Sequence, residues 1–152
     1  MVEGSAYNYC LNLLSRREYS EAQMLTKLQQ KFRQLSVSDL RAVMEKLRDA
    51  DLLSDLRFAE VLIRSRINRG YGPFYIRQEL AAKGIASETG HRLLEAAAVD
   101  WQTLATDIVA RRHTDAHSDP QVWRKAARFL QRRGFSGEIV SKALGPAPRE
   151  FA

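Results

Sequence analysis

Residues 69–77 read RGYGPFYIR, two glycines one residue apart, then a proline, with arginines on either side. Glycines beside basic groups let a backbone approach a phosphate, so nucleotide binding is the first chemistry to weigh. A dinucleotide fingerprint needs a third glycine at position 75, where Tyr75 stands, and a strand before the first, where the pattern is helical. No glycine-rich stretch ends in Gly-Lys-Ser/Thr, which excludes a Walker-type site. His113 and His117 are four residues apart with Asp115 and Asp119 around them, a set that would suit a metal. No third strong ligand accompanies them, and RRHTDAHSDP reads as a solvated polar loop. His91 stands alone and reads as surface or packing. Nucleophile elbow, HExxH and paired carboxylates are all missing. The expectation is a protein with no catalytic residues, no cofactor and no metal.

The basic residues offer a different chemistry. The 152-residue chain carries 24 Lys+Arg against 18 Asp+Glu, a net charge of +6. The excess is uneven: residues 1–50 hold 8 basic and 6 acidic groups, 51–100 hold 7 and 7, and 101–152 hold 9 and 5. Arg64, Arg66 and Arg69 lie near the end of one helical stretch, with Arg77 just past the glycines. RKAARFLQRR supplies Arg124, Lys125, Arg128, Arg132 and Arg133. On a helix Lys125, Arg128 and Arg132 share one face, while Ala126, Phe129 and Leu130 make the other. Such a cationic face suits phosphates or acidic side chains, and the arginine fork serves both. A polyanionic partner is therefore expected, either nucleic acid or an acidic protein surface. Tyr71, Phe74 and Tyr75 surround the glycine break and are expected to pack.

The elements that must position these groups are helices. Leu40, Val43, Met44 and Leu47, like Tyr7, Cys10, Leu11 and Leu14, follow helical spacing, and strand-like alternation is absent. LTKLQQKF, IRQELAAKGI and ARFLQRRGF recur with their central leucines, Leu28, Leu80 and Leu130, 52 and 50 residues apart. The period predicts three tandem three-helix repeats over 5–53, 54–99 and 100–145, with a loose tail at 146–152. The third helices are expected near 38–49, 87–98 and 136–144, capped by Ser36, Ser87 and Ser136. Between first and second helices, Ser20 with Gln23 reads as a capping box and Asp119–Pro120 as a cap followed by a first-turn proline. In the middle repeat Phe58, Leu62 and Ile63 face inward, and Gly70 ends the first helix in the left-handed region. Gly72 loosens the chain, Pro73 starts the next helix, and Ile76 and Leu80 point into the core. The glycines thus read as punctuation between helices.

Cys10 is the sole cysteine, which excludes an internal disulfide, fits a reducing cytoplasm and reads as a small core residue. No apolar run approaches the roughly 18 residues of a membrane span, and MVEGSAYNY lacks the pattern of a secretory signal. A monomer in the cytoplasm is expected.

The run LLSDLRFAEVLIRSRINRGYGPFYIRQELAAKGI resembles the central signature of the RecX family, regulators of the bacterial RecA recombinase. The similarity rests on Leu53, Asp55, Arg57, Phe58, Ala59, Arg66, Gly70, Gly72, Pro73, Ile76, Glu79, Leu80, Lys83, Gly84 and Ile85. LLSRREYSEAQMLTKL is similar to that family's opening, and FLQRRGF with IVSKAL to its basic C-terminal repeat. Ser54 stands where the family has the first acid of an Asp-Asp pair, Gln23-Met24 replaces Glu-Leu, and KFRQLS lacks the Lys-Gly pattern. The resemblance implies an elongated, curved all-α array that binds in the groove of the recombinase filament on single-stranded DNA. It implies inhibition of ATP hydrolysis and strand exchange, and so modulation of recombination, repair and the SOS response. Charge clustering and motif positions together nominate Arg57, Arg64, Arg66, Arg69, Arg77, Lys83, Arg124, Lys125, Arg128, Arg132 and Arg133 as filament or DNA contacts. Gly70, Gly72, Pro73, Phe58, Leu80 and Gly84 are nominated as structural. A basic helical module that binds DNA without the recombinase is the alternative reading.

Overall fold

A computed structural model describes residues 2–150 of the chain. Among them nine helices and no strands are found, in three successive sets of three. The first set is α1 (Val2–Leu14), α2 (Glu21–Lys31) and α3 (Val37–Asp49). The second is α4 (Asp55–Asn68), α5 (Pro73–Ala82) and α6 (Ser87–Ala96), and the third α7 (Trp101–Arg112), α8 (Pro120–Arg132) and α9 (Gly137–Leu144). Residues 146–150 form no regular element, but the Glu150 carboxylate pairs with Arg124 at 2.7 Å. Residues 151–152 of the expected tail lie outside the described residues.

Side-chain caps start most helices, satisfying first-turn N–H groups that have no helical partner. Ser20 Oγ accepts from the Gln23 N–H while Gln23 Oε1 accepts from the Ser20 N–H, a complete capping box. Ser36, Asp100, Asp119 and Ser136 cap α3, α7, α8 and α9, with Pro120 opening α8. Ser54 Oγ accepts from the Arg57 N–H at the start of α4, so the residue that departs from the Asp-Asp pair still caps. Ser87 does not cap α6. That helix begins at Ser87 itself, with the Ala86 carbonyl accepting the first bond from Gly90, and alanine has no side-chain acceptor.

The chain divides into two compact units, Met1–Leu62 with Leu80–Gly90, and Ile63–Glu79 with His91–Ala152. The first unit is built on Ala6, Cys10, Met24, Leu28, Val43, Leu47 and their neighbours. Cys10 is wholly buried there, and burial pushes its thiol up to about 11, which fits a core residue and not a reactive one. The second is built on Ala105, Ile108, Val109, Ala126, Leu130, Phe135, Val140 and Leu144, where α7 packs against α9 and α8 against α9. Leu28, Leu80 and Leu130, the leucines that set the repeat, are 0%, 2% and 0% exposed.

One device recurs in both units. In the second, the turn after α8 lies directly on the α4–α5 junction. The Gly72 N–H donates to Arg133 O at 2.6 Å and the Phe74 N–H to Gly134 O at 3.1 Å. A Cβ on Gly72 would stand 2.6 Å from the Gly134 carbonyl, and one on Gly134 (φ +92°) 2.3 Å from the Tyr75 nitrogen. Gly72 therefore does not loosen the chain. Its backbone conformation is ordinary, and it is glycine because another backbone occupies the space. In the first unit the turn after α5 lies on the α1–α2 junction in the same way. Ser20 Oγ donates to Lys83 O at 2.7 Å, and a Cβ on Gly84 (φ +84°) would stand 2.5 Å from the Ala22 Cβ. Gly70 is left-handed at φ +82° and Pro73 opens α5, as the sequence suggested. Asp55 adds a second tie in the first unit, its Oδ1 accepting the Glu21 N–H at 2.7 Å, while burial holds its carboxyl above the usual range.

Candidate functional site

The nominated basic residues fall into two kinds. Arg57 and Arg66 are held by carboxylates inside the fold, and Arg124, though exposed, pairs with Glu150 at 2.7 Å. Arg57 Nε donates to Glu18 at 2.7 Å and its Nη2 to Asp51 O at 3.1 Å. Arg66 makes a forked pair with Glu79, 2.6 and 2.7 Å, with side chains 20% and 17% exposed, and the pair joins α4 to α5 across the glycine break. These bonds occupy the donors that a partner would otherwise use. Lys83 is half-buried, and its carbonyl receives Ser20.

Arg64, Arg69 and Arg77 are exposed, as are Arg124, Lys125, Arg128 and Arg132 along the outer face of α8. The inner face of α8 buries Ala126 and Leu130 and half-buries Phe129, as the amphipathic pattern required. Arg77 lies over the Phe74 ring at 5.2 Å, and Phe74 is 50% exposed, so that aromatic does not fill the core. Tyr71 and Tyr75 do pack, stacked at 4.2 Å and 26°.

Arg133 has a special setting. Its guanidinium lies over Tyr71 at 4.2 Å and over Phe129 at 4.7 Å, and Nη1 donates to the Arg69 carbonyl. A guanidinium fixed on two rings loses little further freedom when an anion arrives. It forms one wall of a cleft of about 440 Å³ in the second unit, lined also by Arg69, Arg111, Arg112, Tyr71, Leu104, Ile108 and Phe129. Arg112 lies over Phe129 at 5.3 Å. Among the described residues none of the four arginines has a carboxylate within 4.0 Å, and no acid lines the cleft.

Arg111 and Arg112 were not among the nominated residues, because RRHTDAHSDP reads as loop throughout. α7 in fact runs to Arg112, and only 113–119 is irregular. The adjacent Arg-Arg at the end of an apolar-striped helix was the available signal, since basic residues favour a helix C-terminus. His113 ends α7 with its ring 5.3 Å from Phe129, and burial, with Arg112 and Lys125 nearby, holds its pKa below the ordinary value. Among the described residues no group of three His, Cys, Asp or Glu is placed to hold a metal, and no helix is long and apolar enough to cross a membrane.

Comparison with known proteins matches this geometry to one family. Its first, second and third three-helix domains, each described as a RecX domain, match residues 6–34, 54–90 and 100–144. "Regulatory protein RecX" of Chromohalobacter salexigens is 37% identical over 145 residues, 95% of this chain and 94% of that one. The protein of the same name from Stenotrophomonas maltophilia is 40% identical over 134 residues, 88% and 81% of the two chains. The crystal structure of RecX from Lactobacillus salivarius superposes with a TM-score of 0.79 over 93% of each chain at 23% identity, a likeness of fold. Three domains matched in order, with relatives spanning most of both chains, mean that this chain belongs to the RecX family of regulatory proteins.

Proposed function

We propose that the protein is a non-enzymatic regulator of the RecA recombinase, acting as a cytoplasmic monomer on the recombinase filament assembled on single-stranded DNA. It slows ATP hydrolysis and strand exchange by occupying the filament, and so tempers recombination, repair and the SOS response. Family membership supplies the partner, and the observation that carries the contact is the outer face of α8, where Arg124, Lys125, Arg128 and Arg132 are all exposed on one amphipathic helix. Consecutive residues of the 124–128–132 row are about 6 Å apart along the axis, a row of forked donors suited to a polyanionic track. Arg64, Arg69 and Arg77 add exposed charge in the same unit. Arg57 and Arg66 contribute through the fold, since their donors are already engaged.

The test is the DNA-dependent ATPase rate of RecA filaments as the protein is titrated in at physiological salt. The reading requires the rate to fall at or below stoichiometric amounts, with no ATPase from the protein alone. An unchanged rate with a folded helical protein removes the regulatory role and leaves the fold.

A further inference from the structure

We propose that the arginine-lined cleft of the second unit is a binding site for one nucleotide of a single-stranded nucleic acid. The phosphate sits among the guanidinium groups of Arg69, Arg111 and Arg112, and the ring system lies on Leu104, whose side chain is the part of the apolar floor left open. This deepens the function proposed above, and it rests on that reading in taking a single strand as the ligand.

Three observations carry it. First, four arginines line one cleft and, among the described residues, none is matched by a carboxylate within 4.0 Å. Like charges gathered without compensation repel, and an anion placed among them removes that repulsion. Second, Arg133 is fixed on Tyr71 and Phe129 and bonded to the Arg69 carbonyl, so that wall of the cleft is formed before a ligand arrives. Third, the floor is apolar and the cleft, at about 440 Å³, has the size of a small-molecule site. A carboxylate side chain would satisfy the arginines and leave half-buried Leu104 uncovered. A base attached to a phosphate covers it. The faces of Tyr71 and Phe129 are already taken by Tyr75, Arg112, His113 and Arg133, which places the base on the aliphatic floor and not in an aromatic stack. A free nucleoside triphosphate fits less well, because no acidic cluster among the described residues would hold its divalent ion. Arg132 and Arg128 lead away from Arg133 along α8, which gives the neighbouring phosphates of a strand somewhere to go.

The experiment uses Arg69→Ala/Arg111→Ala, two exposed side chains with no ion pair, in the full chain, with helicity checked by circular dichroism. Binding of a labelled deoxythymidine oligomer of about fifteen nucleotides is measured by anisotropy across a salt series. Losing one phosphate contact should weaken binding about fivefold at about 0.1 M salt and lower the salt slope by about 0.7. An abasic oligomer should bind the parent protein more weakly than the thymidine oligomer, and the gap should close in the variant. Equal binding by parent and variant overturns the site, as does failure of the parent to bind any oligomer. Displacement by polyglutamate as readily as by the oligomer would assign the cleft to acidic protein, and displacement by thymidine triphosphate at equal concentration would assign it to free nucleotide. Either result overturns the single-strand assignment. If the variant still slows the recombinase ATPase while binding the oligomer unchanged, the cleft assignment fails and the regulatory role stands.

Discussion

Replacing Gly134 by alanine tests the central claim about how the second unit is held together. At φ +92° an alanine costs about 1 kcal/mol through its Cβ alone. That Cβ would also stand 2.3 Å from the Tyr75 nitrogen and 2.6 Å from the Tyr75 Cβ, atoms that cannot swing aside as a side-chain tip would. The turn must lift off the α4–α5 junction. It then loses the Gly72-to-Arg133 and Phe74-to-Gly134 hydrogen bonds, each worth about 1 kcal/mol. Repacking around the extra atom adds roughly 1 kcal/mol or more. The sum is about 4 kcal/mol, at the upper end for a point mutation. Gly145→Ala is the open-space control: nothing lies within 4 Å of the added atom, and φ +67° with ψ −167° is a backbone region that essentially only glycine adopts, so about 2 kcal/mol should be lost through the backbone alone. Gly137→Ala, in open space at the start of α9 with no left-handed strain, should be neutral or gain about 0.5 kcal/mol. Urea unfolding followed by far-ultraviolet circular dichroism reads all three. With a slope of about 2 kcal/mol per molar, the Gly134 midpoint should fall by about 2 M and the Gly145 midpoint by about half of that. If Gly134→Ala is no more damaging than Gly145→Ala, the backbone approach does not hold the unit.

Arg66→Ala should cost about 2 kcal/mol in thermal unfolding, because Glu79 is left largely buried without its forked partner, and Arg66→Lys should recover only part of that. Equal stability of all three proteins would assign the pair no structural role. Replacing Arg124, Lys125 and Arg128 together by alanine should weaken filament binding at least tenfold and leave the melting temperature within a degree or two, since the Arg124–Glu150 pair is exposed and worth little. Unchanged binding would move the contact surface off α8. Burial, then Arg112 and Lys125, hold the His113 pKa below 6.5, so the unfolded chain takes up this proton more readily than the native state. The contribution is therefore present above pH 6.5 and lost as pH falls through the lower native value. The melting temperature should drop between about pH 7.5 and 5.5, and by less in His113→Gln. Equal drops would remove His113 as a cause.

The helices were legible because their apolar stripes face cores that lie within reach of a helical period, and the three leucines of the repeat are all buried. The caps were legible where a polar side chain is the only acceptor at the helix start, as at Ser20, Ser36, Asp119 and Ser136. At Ser87 a neighbouring alanine took the position, against the local preference of N-caps for serine. The role of Gly72 was hidden because its partner is Gly134, on another helix's turn far along the chain. The same distance hides which arginines are engaged. Arg57 meets Glu18 at a separation of 39 residues and Arg66 meets Glu79 at 13, while among the described residues Arg64, Arg69 and Arg77 meet no carboxylate within 4.0 Å. A run of charge predicts a cationic surface, and only the fold says which of its members remain available to a partner.

Two clamps of one kind seat a basic-residue-plus-glycine turn on the preceding helix junction, and in the second that junction is the glycine break. In each, the residue before the turn glycine, Lys83 or Arg133, gives its carbonyl to the preceding helix junction, and the glycine admits that junction's backbone or Cβ. The carbonyl's use fixes the Cα, and the side chain leaves the turn in a set direction. At Arg133 that direction ends between Tyr71 and Phe129, beside Arg69, which the same junction carries. The clamp that holds the second unit therefore also sets the wall of its arginine cleft. Any substitution that opens Gly72 from Gly134 should disturb stability and anion binding together, whereas removal of Arg69 or Arg111 should disturb binding alone.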